Sequence, residues 1–308
     1  MKKGIIILDF GSQFTQLIAR RIRENNVYCE IHPCTLEYRN DLQPEGVILS
    51  GGPSSVLGDD APPFDPKWLD IPVPILGICY GMQLLAAQGG GRLGKGEHRE
   101  YGLSELRIEK EHAIFANVPT ESTVWMSHGD HVQELPKEYT VLARSESGVI
   151  AAMGSSNARI GVQFHPEVTH SEHGQCMIRN FIHDICRAST DWTMSNFIQE
   201  ECQRIRELVG TQHVICGLSG GVDSAVTAAL LHKAIGDQLH CIFVDNGLLR
   251  HEERQSVSEE FKEQNLIVID ASERFLSELK GVLDPEEKRK IIGRVFIEVF
   301  EESASELA

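Results

Sequence analysis

A cysteine set between two glycines, Gly77-Ile-Cys79-Tyr-Gly81-Met-Gln83, follows the apolar run 74–78 and precedes the helix-forming run 82–88. A sharp strand-to-helix turn needs glycine's backbone freedom, and it leaves the side chain at its apex exposed at the strand's end. The start of the helix adds free N–H groups and a positive dipole end, which favour a thiolate and can hold an oxyanion. Such a nucleophile needs a base, and Gly161-Val-Gln-Phe-His165-Pro-Glu167 offers one at the end of another expected strand. In extended backbone, positions two apart point the same way, so Glu167 can orient His165 while the ring faces Cys79. The glycine turn Ser50-Gly51-Gly52-Pro53 can supply a second oxyanion donor beside the N–H of Tyr80. An isolated cysteine near a strand end is usually a small core residue. Three such motifs in chain order, each after an expected strand, outweigh that reading. Ser127-His128-Gly-Asp130 is explained by a polar-capped glycine turn about as well as by substrate binding.

A second site follows the apolar run 213–217. Leu218-Ser219-Gly220-Gly221-Val222-Asp223-Ser224 leads into the helical Ala225–Leu231. Backbone N–H groups, two serine hydroxyls and a helix N-terminus make an anion cradle suited to phosphate. The lysine and spacing of the Walker A loop are missing. Asp223 would repel phosphate unless a cation intervened, which points to a bridging Mg²⁺; a bare helix-capping loop is the plain alternative.

The elements that must hold these residues alternate between short apolar runs and segments of helical period, as in parallel α/β sheets. Strands are expected at 4–9, 46–50, 74–78, 149–153 and 160–164, with Phe14, Leu17, Ile18 and Ile22 on an intervening helix. The stretch 92–145 is mixed and suits antiparallel pairing. Met177, Ile178, Phe181, Ile182 and Ile185 form a closing helix stripe. The polar stretch 187–191 separates a first domain, 1–189, from a second, 190–308. The second is expected to hold helices near 195–209, 222–235 and 251–263 between strands at 213–217, 239–244 and 266–269. Its last helix carries Ile291, Ile292, Val295, Phe296, Val299 and Phe300 on one face. That face needs a partner, so the domain looks unfinished. The fold class is therefore α/β: two α/β domains, each with a mainly parallel sheet flanked by helices.

Bulk composition narrows the function. The 308 residues exceed one ordinary core, and no apolar run approaches the roughly 20 residues of a membrane span. Ile5–Leu8 is too short for a signal-peptide core. Eight scattered cysteines with no C-x-x-C pair argue against a zinc site or a disulfide framework and suit a reducing cytoplasm. The formal charge of -16, with 12 basic against 22 acidic residues after position 189, argues against nucleic acid as a partner.

Residues 1–189 resemble class I glutamine amidotransferase domains, on the Gly-Gly-Pro, Gly-x-Cys-x-Gly-x-Gln and His-Pro-Glu motifs. The resemblance implies that Cys79 attacks the glutamine carboxamide to form a thioester. His165 would then shuttle protons and Glu167 orient it, with Gly52, Tyr80, Gln83, Ser127 and His128 holding substrate or oxyanion. The loop Ser219–Ser224 looks like that of the ATP pyrophosphatases, whose manner would place Val244 by adenine and Asp245 with Asp223 near the metal or pyrophosphate. The order of the two modules, with Gly247-Leu-Leu-Arg250 and Asp284–Gly293 downstream, resembles the glutamine-hydrolysing GMP synthase family. That likeness implies glutamine, ATP and xanthosine monophosphate as substrates, with Arg289 a candidate for the nucleotide's phosphate. Members of that family continue with a lid and a dimerisation domain, so a homodimer is expected only with that further part. An NAD-forming ligase would share both modules, but such enzymes usually carry a different glutaminase. A non-catalytic sensor with the same fold is disfavoured by the intact Cys79, His165 and Glu167.

Overall fold

The computed structural model describes residues 3–306. Contacts divide the chain into two compact units, one up to Thr193 and one from Met194. This division lies just past the polar stretch 187–191. The buried Trp192, whose N–H donates to the Asn26 carbonyl at 3.1 Å, ties that stretch to the first unit.

The first unit contains β1 (Ile5–Asp9), α1 (Thr15–Arg23), β2 (Cys29–Pro33), β3 (Gly46–Leu49), β4 (Ile75–Ile78), α2 (Tyr80–Gln88) and β5 (Arg92–Ile108). After these come β6 (Glu121–Glu134), β7 (Tyr139–Ser145), β8 (Ile150–Ser155), β9 (Arg159–Val162) and α3 (Gly174–Arg179), which runs into a π-helical turn, Asn180–Ile185. Among the described residues these strands form one nine-stranded sheet, ordered β2-β1-β3-β4-β9-β8-β7-β5-β6. The run from β2 to β9 is parallel, and β8, β7, β5 and β6 extend it antiparallel.

The unbroken apolar run of β1 follows from burial on both faces. Ile5 and Ile7 join Ile18 and Ile22 of α1 and Phe181 and Ile182 in one core. Ile6 and Leu8 join Met82 and Leu85 of α2 and Trp68 in the other. Each fully buried side chain contributes about 1.5–3 kcal/mol. The sequence reading missed β2. Its alternation Cys-Glu-Ile-His-Pro suits an edge strand with one covered face and a terminal proline, and it pairs Cys29 with Ile5.

The second unit contains α4 (Met194–Val209), β10 (Val214–Leu218), α5 (Val222–Ile235), β11 (Leu239–Asp245), α6 (Glu253–Glu260), β12 (Leu266–Asp270), α7 (Ser272–Glu278) and α8 (Pro285–Glu306). β10, β11 and β12 form a parallel sheet in that order. The alternation on β11 again feeds two cores. Cys241 and Phe243 meet Cys202, Ala228 and Val257, whereas Ile242 and Val244 meet Phe275, Val295 and Val299. The apolar face of α8 thus finds its partner inside the chain, on β11 and on α7, a short helix the sequence reading did not anticipate.

Two glycines test this packing. A Cβ on Gly81 would collide with the Leu49 carbonyl, so Gly81→Ala should cost about 2 kcal/mol or more. Denaturation followed by tryptophan fluorescence reads it, because Trp68, Trp125 and Trp192 all lie in the first unit. Gly293 lies exposed inside α8 with open space at its Cβ position, so Gly293→Ala should stabilise by about 0.5–1 kcal/mol. Calorimetry that finds no upward shift would contradict the second expectation.

Candidate active site

The parallel strands of the first unit deliver their C-terminal ends to one edge, where ligands of open α/β sheets gather. Cys79 stands between β4 and α2 with φ 51° and ψ -102°, a sparsely populated conformation for a residue with a side chain. Its N–H donates to the Val162 carbonyl at 2.8 Å, which fixes the apex against β9. The flanking glycines are steric necessities: a Cβ on Gly77 would strike the Gly81 carbonyl. Gly81 in turn lets the first turn of α2 lie on β3, its N–H donating to the Ser50 carbonyl at 3.2 Å.

His165 and Glu167 do not continue a strand. β9 ends at Val162, and the pair is made across a turn. The turn is held firmly: His165 N–H donates to the Trp125 carbonyl at 2.9 Å, and Ser171 Oγ donates to the His165 carbonyl at 2.6 Å. Gly174 packs so closely on the Pro166 carbonyl that a Cβ would not fit. His165 Nδ1 and Glu167 Oε1 lie 2.7 Å apart, with both side chains buried. Burial opposes the imidazolium, but hydrogen bonds to Cys79 and Glu167 outweigh it and hold His165 up to about 10. The Phe14 ring meets the imidazole edge-on at 5.4 Å. The structure therefore pairs His165 with Glu167 and brings Cys79 close enough to raise the charge on the imidazole.

A cavity of about 440 Å³ opens on Cys79, and Gly52, Tyr80, Gln83, Ser127 and His128 all line it. The side-chain amide of Gln83 already donates to the Asp130 carbonyl at 2.8 Å and faces Gln163 Oε1 at 3.4 Å. Its carbonyl oxygen is thus the polar atom left for a ligand. His128 is buried, with Nε2 3.0 Å from Glu100 Oε2. Arg99, Tyr101 and Asp130 also face the cavity and were not singled out from the sequence. Asp130 stood inside the Ser127–Asp130 motif, but Arg99 and Tyr101 carry no local signal. They reach the site only through the antiparallel register that pairs Glu100 with His128 and Tyr101 with Ser127.

In the second unit, β10 ends at Leu218 and Gly221 caps α5. Gly220 has φ 72°, and a Cβ there would collide with the Glu253 carboxylate. Ser224 Oγ accepts from Ser219 N–H at 3.2 Å and lies 3.0 Å from Ser219 Oγ, while Gly221 N–H donates to Ser219 Oγ at 3.4 Å. Asp223 and Val222 are exposed in the first turn of α5. The Val244 side chain is buried in the core with Phe275 and Val295, so only its backbone can face a ligand. Asp245 accepts from Gly247 N–H at 2.9 Å and from Arg254 at 3.0 Å. Arg289 lies exposed on α8, paired with Glu286 at 2.7 Å. Among the described residues no cluster of three or more histidine, cysteine or acidic side chains could hold a metal by itself.

No helix among the described residues is long and apolar enough to cross a membrane. The family described as glutamine amidotransferase class-I matches residues 6–185, and the family described as NAD synthase matches residues 193–270. Proteins of Bacillus cereus (strain ATCC 10987 / NRS 248) and Bacillus anthracis, both named glutamine-hydrolyzing GMP synthase, are 55% identical to 98% of this chain. The chain spans 60% of the length of these curated relatives. The crystal structure of a GMP synthase subunit from Thermoplasma acidophilum aligns with a TM-score of 0.53 at 30% identity, over 65% of this chain and 98% of its own. With a family match over more than half its length and Cys79 poised beside His165 at a strand-to-helix turn, the chain belongs to the class-I glutamine amidotransferases.

Proposed function

We propose that the chain carries the glutamine-hydrolysing and ATP-binding parts of a GMP synthase. The observation that carries this reading is the Cys79 elbow with His165 and Glu167 beside it, in a chain 55% identical to proteins of that name. His165 takes the Cys79 proton, and the sulfur attacks the carboxamide carbon of glutamine. The resulting oxyanion is held by N–H groups at Tyr80 and Gly52. Collapse breaks the C–N bond as His165 protonates the leaving ammonia. Water, deprotonated by the same ring, then hydrolyses the thioester to glutamate and returns the thiol.

In the second unit the Ser219–Ser224 loop receives ATP phosphates on backbone N–H groups and the two hydroxyls. Mg²⁺ usually reaches such sites on the phosphates, with one or two protein carboxylates completing its shell; Asp223 and Asp245 would serve. ATP adenylates xanthosine monophosphate at its C2 oxygen, pyrophosphate leaves, and ammonia displaces AMP to give GMP. Arg289 would contact the acceptor's phosphate after leaving Glu286. A cytoplasmic setting, a homodimer and the absence of a nucleic-acid partner belong to the same reading.

A diazoketone analogue of glutamine should form one adduct, on Cys79, and none in Cys79→Ser. A folded wild type that stays unlabelled sinks the glutaminase assignment. In the full-length protein, Cys79→Ala should abolish GMP formation from glutamine and leave formation from ammonium intact; if xanthylate is never aminated, the acceptor is wrong.

The charge on His165 also has a pH signature. Its pKa is raised in the fold from 6.5 to about 10. The stabilisation from that charge is therefore full below about 6.5 and is lost as pH rises through about 10. Glu167→Gln removes one of its two partners and should narrow that window. Urea denaturation at about pH 7 and about pH 9.5 should show a smaller gap between wild type and variant at the higher pH. An equal gap at both would contradict the assigned coupling.

A further inference from the structure

Gln163 is fully buried between the two halves of the large sheet, one residue beyond the end of β9. Its N–H donates to the Ala151 carbonyl on β8 at 2.8 Å, while the preceding carbonyl, of Val162, accepts the Cys79 N–H at 2.8 Å. Its side-chain Nε2 lies 3.6 Å from Cys79 Sγ. The direction of that contact is fixed by its neighbours. The Asp130 carbonyl can only accept, so the atom of Gln83 that meets it at 2.8 Å is its NH₂ group. That group faces Gln163 at 3.4 Å, which makes the facing atom of Gln163 its carbonyl oxygen and turns its own NH₂ group to the sulfur. A buried chain of amides thus runs from the cavity wall to the nucleophile, ending in a donor.

From this geometry we infer that Gln163 is a catalytic residue, whose amide N–H donates to the Cys79 sulfur when it is a thiolate. It rests on Cys79 being the nucleophile. His165 takes the proton from one side, and Gln163 holds the negative sulfur from another. The Ser127 carbonyl, 3.6 Å from the sulfur, can only accept and so favours the thiol. Because Gln163 touches sulfur and the described structure buries it away from solvent, its contribution falls on the chemical step and not on glutamine affinity.

The test uses Gln163→Met, of like length without a donor, and Gln163→Leu, shorter and also without a donor, each checked for folding by near-ultraviolet circular dichroism. Near neutral pH, Gln163→Met should react with iodoacetamide at Cys79 about tenfold more slowly, the worth of one hydrogen bond to a charged group, and show weaker ultraviolet absorbance from the thiolate. Its kcat for glutamine hydrolysis should fall by a similar factor at unchanged KM, and so should that of Gln163→Leu. A folded variant of either kind with wild-type alkylation and thiolate absorbance overturns the proposal, as does a rise in KM at unchanged kcat. If the wild type is not labelled by the diazoketone, the nucleophile is wrong and this inference falls with it.

Discussion

The first unit depends on one close approach, that of the first turn of α2 to the backbone of β3. Gly81 permits it, Gly77 leaves room for it from below, and Cys79 takes the left-handed φ that joins strand to helix so abruptly. A conformation of this kind costs on the order of 1–3 kcal/mol and persists only where its surroundings over-determine it. Here they do: the Cys79 N–H is bonded to Val162, Gly81 to Ser50, and the helix above sinks Met82 and Leu85 into a core shared with Leu8 and Leu49. Local strain is offset by burial several residues away, and the sulfur is left where three strand ends meet.

The same approach explains why the base can be supplied by a turn. His165 needs no extended backbone, because its position is set by Trp125, Ser171 and Gly174. Glu167 is buried at 2.7 Å from the ring, in surroundings where a charge must be paired to be tolerated. His165 satisfies that need and takes from it the capacity to stay protonated well above its ordinary range.

Much of this arrangement was legible in the residues, because a cysteine between two close-packed glycines serves few backbone purposes besides a strained strand-to-helix turn. The parallel strands were legible for a similar reason: burial on both faces writes them as unbroken apolar runs such as Ile5–Leu8. Signals were weaker where one face is open. β2 alternates polar and apolar residues over only five positions, and α7 is a single short helix whose main duty is to bring Phe275 beneath α8. The parts of the cavity that escaped notice, Arg99 and Tyr101, belong to a register between strands distant in sequence, and no local pattern encodes that. At Val244, near the end of β11, the alternation of the strand turns the side chain into the core and leaves the backbone at the sheet edge.

The cavity is assembled from two sources that share little. Gly52, Cys79, Tyr80 and Gln83 follow the parallel strands β3 and β4, whereas Tyr101, Arg99 and the Ser127–Asp130 segment belong to the long antiparallel β5–β6 pair. The two walls of the cavity therefore reside in separable pieces of backbone. The β5–β6 ribbon can be redrawn, by a bulge moved or a register slipped, to present a different wall to the same sulfur. A fold divided in this way can reshape one wall of the cavity while the strained turn at Cys79 on the other stays as it is.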